Sequence, residues 1–570
     1  MTIRRRPEIK DTDVYKFVAP RKRPRGRDSS FAAISLFSGA GLSDLGFTRA
    51  GFEFIVHVEK EKLRAQIGEA NFPKSKWIVG DVSQVAQEVV SSFRRKRKVL
   101  DLLVATPPCQ GMSSSNPTRG KRHSSQAKKN IERNSLLLDI VPIVRELEPR
   151  IIVAENVRQI LTLRRSKTSS TIVEELSDAL PEYSFFSTCI DVADFGIPQT
   201  RKRALIVGLH KRYFKKALEK GAPPWPTETH GDGRLAAHLT LREWLPAFGY
   251  ERLNSSCIEK AVGQHPLHRV PVYDPDRYLQ ISSIPARSGK SAYENSTCPG
   301  CGFSPVPEKR AFCISCGSLM RNRPYVKTKG RPRLIRGFKS SYRRMAANRP
   351  AATITTASSH VGSDLTVHPW EHRVMSTLEC AHLQTVPSYF DWQAALDGGQ
   401  HYLIRRVIGE AFPPYFTFLH GQHLIEMLKQ ASEPHRLRMR AVRSRNNKST
   451  ELKMVGLLRE AGLSGWRRNS DLVGKPDFVF AERRVALFVD GCFWHGCGCR
   501  VVPKRRQRYW QKRFEKNRVR DSFVTDSLRS QGWQVIRIWE HELTDRSKVV
   551  SFLKIRLRLS ALQHTVRRAA

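Results

Sequence analysis

The chain has 570 residues, 40% of them apolar, and its 98 Lys and Arg against 53 Asp and Glu give a net charge of +45. That length exceeds what one hydrophobic core can organise, and that charge selects a polyanionic partner, which excludes a small single-domain protein and a binder of basic surfaces. Residues 436–570 contribute 32 basic and 12 acidic side chains, +20 of the total, so both halves of the chain are expected to touch nucleic acid. No run approaches the roughly 18 apolar residues of a membrane span, and MTIRRRPEIK leads into no apolar segment, so the protein is expected to be cytoplasmic and nucleoid-associated, with no membrane partner. Seven of its 11 cysteines fall into two clusters, at 298–316 and 492–499, which in an intracellular protein points to metal rather than disulfides.

Residues 1–30 are basic and irregular, with RKRPRGR at 21–27, and read as a disordered tail. Order is expected from FAAISLFSGAG onward: a strand over 32–37, the turn SGAG, a helix carrying Leu42, Leu45 and Ala50, then a strand ending at Glu59. Gly39 and Gly41 occupy the first turn of this βαβ start, where missing side chains let a cofactor approach the backbone. Glu59, about 20 residues on, is placed for ribose hydroxyls. A third strand, WIVGD, ends at Asp81, an acceptor for an adenine amine. Three strand ends bearing glycine, glutamate and aspartate suit an adenosyl cofactor that lacks a pyrophosphate.

VLDLLV (99–104) reads as a buried parallel strand, and ATPPCQG (105–111) follows it. Its two prolines stiffen the backbone and deliver Cys109 at the carboxyl edge of the sheet, a candidate nucleophile if its pKa is lowered; a lone cysteine is more often a small buried side chain. The polar segment 111–134 supplies Arg119, Lys121, Arg122, Lys128 and Lys129 for phosphates. A helix over 135–148 leads to RIIVAENV, a strand ending in Glu155 and Asn156. An acid there is a proton donor beside Cys109, or else a capping or salt-bridging glutamate. DFGIPQTRKRALIVGL then puts Gln199, Arg201 and Arg203 before a further strand, the alternating arginines on one face.

FSGAG, PPCQ, ENV and QTRKR occur in the order and approximate spacing of the DNA cytosine-5 methyltransferases. RPAATITT (349–356), HPWEHRVMSTLECAHLQTVP (368–387) and VIGEAFPP (407–414) resemble the late motifs of that family, so the match covers 32–425. The resemblance implies that Phe37, Gly39, Gly41, Glu59 and Asp81 bind S-adenosylmethionine, that Cys109 is the nucleophile and Glu155 the acid, and that Arg201 and Arg203 hold the cytosine and the catalytic loop. Two departures are visible: Ala105-Thr106 replaces a glycine-containing pair, and Glu410 stands where asparagine is usual. The chemistry accounts for the residue types. Carbon 5 of cytosine becomes nucleophilic only after a thiolate adds at carbon 6 and ring nitrogen 3 takes a proton. The base must first leave the stack, at a cost of roughly a few kcal/mol.

Residues 210–348 lie where this family keeps its target-recognition region. CPGCGFSPVPEKRAFCISCG inside it pairs Cys298 and Cys301 with Cys313 and Cys316, two CxxC knuckles that suit a closed tetrahedral Zn²⁺ site. KTKGRPRLIRGFKSSYRR (327–344) follows as a DNA-facing segment.

Residues 426–445 are polar and basic, and a linker is expected there. Beyond it an amphipathic helix (449–461) carries Glu451, GKPDFVF places Asp477 at a strand, and RRVALFVDGCFWHGCGC ends the next strand at Asp490. Carboxylates on neighbouring strands can hold Mg²⁺ against a phosphodiester; singly, each is an ordinary surface aspartate. FVDGCFWHGC, YWQKR, NRVRD and GWQVIRIWEHEL resemble the very short patch repair endonucleases over 436–545. The resemblance implies cleavage at T:G mismatches, Asp477 as the metal ligand with Asp490 and His495 beside it and Glu451 assisting, and Phe493, Trp494 and Trp510 wedged into DNA. It further implies a second Zn²⁺ on Cys492, Cys497, Cys499 and His541.

The expected fold is therefore α/β. A doubly wound S-adenosylmethionine-dependent methyltransferase domain (31–209 and 349–425) carries an inserted zinc-containing recognition region (210–348), and a restriction-endonuclease-like α/β domain (446–562) follows. Three readings stand at this point: a monomeric enzyme that methylates double-stranded DNA and nicks the mismatch left when its product deaminates, a single-chain restriction–modification enzyme, and a methyltransferase with a non-catalytic DNA-binding appendage.

Overall fold

The run FAAISL forms β1 (Phe31–Leu36), five of its six residues buried, because helices cover both faces of the sheet it belongs to. The computed structural model describes residues 8–20, 31–108, 136–162 and 170–568, apart from 234, 329, 336–339, 364, 442–450, 469, 493–496, 498 and 500–506; for 432–441, 507–510, 512, 513 and 558–568 it describes only the backbone. The chain divides into two units, Met1–Ser432 and Glu433–Ala570.

In the first unit, β1 is followed by α2 (Leu42–Ala50), β2 (Phe52–Glu59), α3 (Lys62–Asn71), β3 (Lys76–Val79), α4 (Val82–Lys96), β4 (Leu102–Ala105), β5 (Ile151–Val157), β6 (Tyr183–Asp191) and β7 (Lys202–His210). The seven strands run in the order β3-β2-β1-β4-β5-β7-β6. Pairing is parallel from β3 to β5, and β7 lies antiparallel to both β5 and β6. One core lies between the sheet and α2, α3 and the late helices; the other lies between the sheet and α4. The helix expected over 135–148 is a 3₁₀ turn, Leu136–Ile140, followed by a short α-helix, Val141–Leu147, because Pro142 suits only a helix's first turn.

Three expectations about boundaries are corrected. The N-terminal segment is not wholly a tail: α1 (Asp13–Val18) is N-capped by Thr12 and buries Val14, Phe17 and Val18, an i, i+3, i+4 stripe hidden in a charged stretch. Arg49 donates to Phe17 O at 2.8 Å and stacks on the Phe17 ring, and Ser388 N donates to Val18 O. The recognition region does not start as a separate body at 210, since Phe214, Leu241, Trp244 and Leu245 belong to the main methyltransferase core. Its own core includes Tyr273, Ile281 and Tyr342 together with Val361, Val367 and Val374 from beyond 348. Finally, much of the linker expected at 426–445 is helical, in α5 (Pro414–Ala441), which buries Leu424, Ile425 and Leu428 because the apolar stripe of the late motif continues past its last recognisable residue. Residues 1–7, 21–30 and 442–445 lie outside the described residues.

The recognition region also holds a hairpin, β8 (Tyr325–Thr328) with β9 (Arg331–Leu334), carrying Lys327, Arg331 and Arg333. In the second unit, α6 (Glu451–Glu460) precedes β10 (Trp466–Arg467), β11 (Phe478–Phe480) and β12 (Val485–Asp490), and α7 (Gln507–Ser530), β13 (Gln534–Trp539) and α8 (Arg546–Arg568) complete it. The strands run β10-β11-β12-β13, the last pair parallel. Met454, Leu457 and Leu458 of α6 and Leu553 and Leu557 of α8 cover one face, and Val524 and Leu528 of α7 cover the other. No described helix is long and apolar enough to cross a membrane.

Candidate active sites

The parallel strands β1 to β5 end on one edge of the sheet, and antiparallel β7 begins there, its Arg203 opposite Val157. Strand ends in an open α/β sheet leave a crevice where side chains from several elements converge. At β1 the chain turns through left-handed geometry at Phe37 (φ 57°), Gly39 (φ 56°) and Gly41 (φ 75°). A Cβ on Gly41 would lie 2.6 Å from the Phe72 ring, so this glycine serves helix packing, whereas a Cβ on Gly39 would meet nothing within 4 Å. Gly39 therefore borders open space. Its N–H donates to Glu59 Oε2 at 2.8 Å, and Glu61 N donates to Oε1 at 2.8 Å, which leaves each carboxylate oxygen a lone pair for a hydroxyl. Burial raises the pKa of Glu59, opposed by those two amides and by Arg64. The residues present thus fit an adenosyl group. Asp81, expected to accept from adenine, N-caps α4 through Ser83 and also takes Lys60 Nζ at 3.0 Å.

Glu155 lies at the carboxyl end of β5, 9% exposed. Arg203 Nε approaches its Oε1 at 3.2 Å, a charge contact and not an aligned hydrogen bond, because Oε1 has no hydrogen-bond partner among the described residues. Burial raises the pKa of Glu155, with Arg203 and Arg201 pulling it back. A carboxyl biased toward its protonated form at a sheet edge has a proton it can give.

Arg201 and Arg203 both bear on Glu155, but only Arg203 touches it. Arg201 is fully buried and donates to Ile354 O at 2.9 Å, Gly409 O at 2.8 Å and Glu410 O at 3.2 Å. Lying just before β7, it fastens the early half of the domain to the late one. The sequence places Gln199 and Asn156 at this edge without a role for either, and the structure gives each one. Gln199 donates to Gln384 Oε1 and accepts from Ile354 N, and Asn156 Nδ2 donates to Pro107 O at 3.1 Å, which fixes the start of the segment bearing Cys109. Thr106, the departure before PPCQ, donates its hydroxyl to Phe37 O at 3.0 Å. Cys109 itself and the cations of 119–129 lie outside the described residues.

In the recognition region, the Sγ atoms of Cys298 and Cys316 are 3.7 Å apart, as are those of Cys301 and Cys313. An ion bonding four thiolates at about 2.3 Å in a tetrahedron sets them about 3.8 Å apart, so the four fit one zinc. Arg323, fully buried, donates to the carbonyls of Asn295, Val306, Pro307 and Arg310 and so ties the knuckle to the hairpin β8–β9. Only its position just after CISCG could have pointed to it.

In the second unit, Asp477 precedes β11 and accepts from Val489 N at 2.7 Å. Burial pushes its pKa up to about 6; Glu451 and Asp490 add to the rise, and the Val489 amide opposes it. Each flanking carboxylate already has an arginine. Asp490 takes Arg537 Nε and Nη2 at 2.7 Å each, and Glu451 takes Arg468. Asp477 is thus the carboxylate most favoured by an added cation, while Asp490 beside it accepts one bond from Arg537 on each oxygen. Cys492 Sγ lies 3.2 Å from His541 Nδ1, Cys497 Sγ lies 2.7 Å from Cys499 Sγ, and the four ligand atoms fall within 4.8 Å of one another. Phe493, Trp494 and His495 lie outside the described residues, as does the side chain of Trp510.

The model for C-5 cytosine-specific DNA methylases matches residues 31–425. The chain belongs to that family. The methylase half is 27% identical over 395 residues to the Type II methyltransferase M1.HgaI of Avibacterium volantium, a match covering 67% of this chain and 94% of that protein. The model for the DNA mismatch endonuclease Vsr matches residues 430–501. The Type II nicking enzyme V.XorIIP of Xanthomonas oryzae pv. oryzae is 44% identical over 115 residues, 20% of this chain and 84% of that protein. Among solved structures, the S. pombe Dnmt2 methyltransferase aligns with a TM-score of 0.38 at 15% identity, over 71% of this chain and 99% of that one. The methylase is therefore a two-enzyme chain that acts on DNA, a C-5 cytosine methyltransferase followed by a Vsr-type endonuclease domain.

Proposed function

We propose that the chain methylates carbon 5 of a cytosine within a specific double-stranded DNA site and nicks the T:G mismatch that forms when that 5-methylcytosine deaminates. S-adenosylmethionine supplies the methyl group, held by Phe37, Gly39, Gly41, Glu59 and Asp81. The Cys109 thiolate adds to carbon 6 of the flipped base as Glu155 gives its proton to ring nitrogen 3. Arg203, in contact with Glu155, stabilises the carboxylate left behind. Arg201 acts at a distance, by holding the late motifs in place. Loss of the carbon 5 proton and of the thiolate then restores aromaticity.

The observation that carries this half is the buried, partner-poor Oε1 of Glu155 at the same edge as Gly39 and Glu59. Methyl transfer to DNA by the full chain should be abolished in Cys109→Ser and severely slowed in Glu155→Gln; undiminished transfer by Cys109→Ser would end the covalent mechanism.

In the nuclease half, Asp477 holds Mg²⁺ while Glu451 and Asp490 shape the field around it. The two cysteine clusters each hold one structural Zn²⁺, closed sites that fix loops and leave no position for substrate. The raised pKa of Asp477 between two other carboxylates supports the magnesium assignment. The test is strand cleavage by the full chain on matched and T:G duplexes, with Mg²⁺ and with EDTA. Nicking on the thymine strand only at the mismatch is expected. Efficient double-strand cutting of matched, unmethylated target would replace this reading with restriction.

A further inference from the structure

Glu410, the departure in the late motif, ends the helix His401–Glu410 and presents its carboxylate to Arg64 of α3, Nη1 to Oε2 at 2.6 Å. Arg64 is 89% covered at its side chain, and its Nε lies 3.0 Å from Glu61 without the alignment of a hydrogen bond. Glu61 is the residue whose N–H holds Glu59, and Glu59 in turn holds Gly39. One guanidinium therefore spans from the strand end that faces the ribose site to the wall built by the late motif.

The amino-acid end of S-adenosylmethionine brings a carboxylate into this crevice, and a carboxylate cannot rest against Glu59 and Glu410 without a cation. The described cations nearby are mostly committed. Lys60 turns to solvent and pairs with Asp81, Arg201 serves buried carbonyls, and Arg203 faces Glu155. Arg64 has an aligned bond only from Nη1 among the described residues and its Nε is buried against Glu61, so Nη2 is the group left for a ligand, in an orientation that Glu410 has already fixed. A pre-oriented guanidinium is the side chain best matched to a carboxylate.

We propose that Arg64 recognises the α-carboxylate of the methionine moiety of S-adenosylmethionine, with Glu410 as the positioning residue that holds the guanidinium. This rests on the placement of the cofactor at Gly39 and Glu59.

The test is calorimetric binding of S-adenosylhomocysteine and of its carboxyl methyl ester to the full chain, so that catalysis is not the readout. The wild type should prefer the acid over the ester by roughly 30-fold, the weight of a charge-assisted hydrogen bond. Arg64→Met should bind the acid about 30-fold more weakly and the ester within about threefold of wild type, which levels the preference. Arg64→Lys should restore part of it, and Glu410→Gln should weaken the acid alone. Equal losses for acid and ester in Arg64→Met, or the full acid preference kept in Arg64→Lys and Arg64→Met, would overturn the proposal. Gly39→Val separates the two claims: if it leaves both ligands bound as before, the placement of the cofactor is what has failed.

Discussion

Replacing Asp477 with asparagine exposes the cost of keeping a charged carboxylate in the nuclease pocket. The fold moves this carboxyl from 3.8 to about 6, chiefly through burial, with Glu451 and Asp490 adding to the rise. A carboxyl whose folded-state value is raised holds its proton more tightly folded than unfolded. Its penalty is absent below the unfolded value, grows between the two, and is complete above about 6. The gap corresponds to about 3 kcal/mol lost from the stability of this unit at pH 7.5. Asparagine has nearly the same shape, keeps an oxygen for the Val489 amide and carries no charge. Asp477→Asn should therefore stabilise Glu433–Ala570 by up to about 3 kcal/mol at pH 7.5 in EDTA, and by almost nothing at pH 4, while nicking is lost. Urea unfolding of the full chain, read by hydrogen exchange of the β11 and β12 amides, measures this unit apart from the methylase. Mg²⁺ should raise the wild type and leave the variant unchanged. A variant no more stable than wild type at pH 7.5, or a gain that persists undiminished to pH 4, would refute the electrostatic account.

Other outcomes follow from the same geometry. Arg201→Met should lower the melting temperature of Met1–Ser432 and reduce methylation in step, since three carbonyls lose a charged donor worth about 1.5–3 kcal/mol each at most; unchanged melting would show that the late motifs are held by other contacts. Phe17→Ala should destabilise the same unit by about 3–5 kcal/mol, as removal of a buried aromatic ring does, and a silent effect in thermal melts would return α1 to the status of a tail. Elemental analysis should find two zinc equivalents per chain, falling to one in Cys298→Ser with loss of methylation but not of T:G nicking; a full-length protein with a single zinc that survives that substitution would remove the knuckle site.

The edge of the methylase sheet was legible because each piece is local: SGAG, Glu59 and ENV sit at the ends of short apolar runs that can only be buried strands. Arg201 was read as a substrate contact because QTRKR resembles the family's motif, which carries no sign of what lies behind it. Its buried bonds to Ile354 and Gly409 depend on partners more than 150 residues away, whereas Arg203 meets Glu155 across the pairing of β5 with β7. Helix α1 was hidden for a different reason, since three apolar residues among charges make no periodic signal in so short a helix. At Asp490 the aspartate was visible and its commitment was not, because Arg537 reaches it across the parallel pairing of β12 with β13.

Gly46 of α2 has consequences for how this chain is made. A Cβ there would lie 2.0 Å from Pro414 O and 2.1 Å from Thr417 Oγ1, and Thr417 donates to Ser43 O. The first helix of the methylase thus closes backbone to backbone against its last segment. On a ribosome moving at about 5–20 residues per second, roughly 20–80 seconds separate the emergence of α2 from that of its partner. Through that interval the early strands lack the late part of the layer that covers them in the finished domain. The order of synthesis also sets an order of closure. The methylase can close while the C-terminal domain is still being translated.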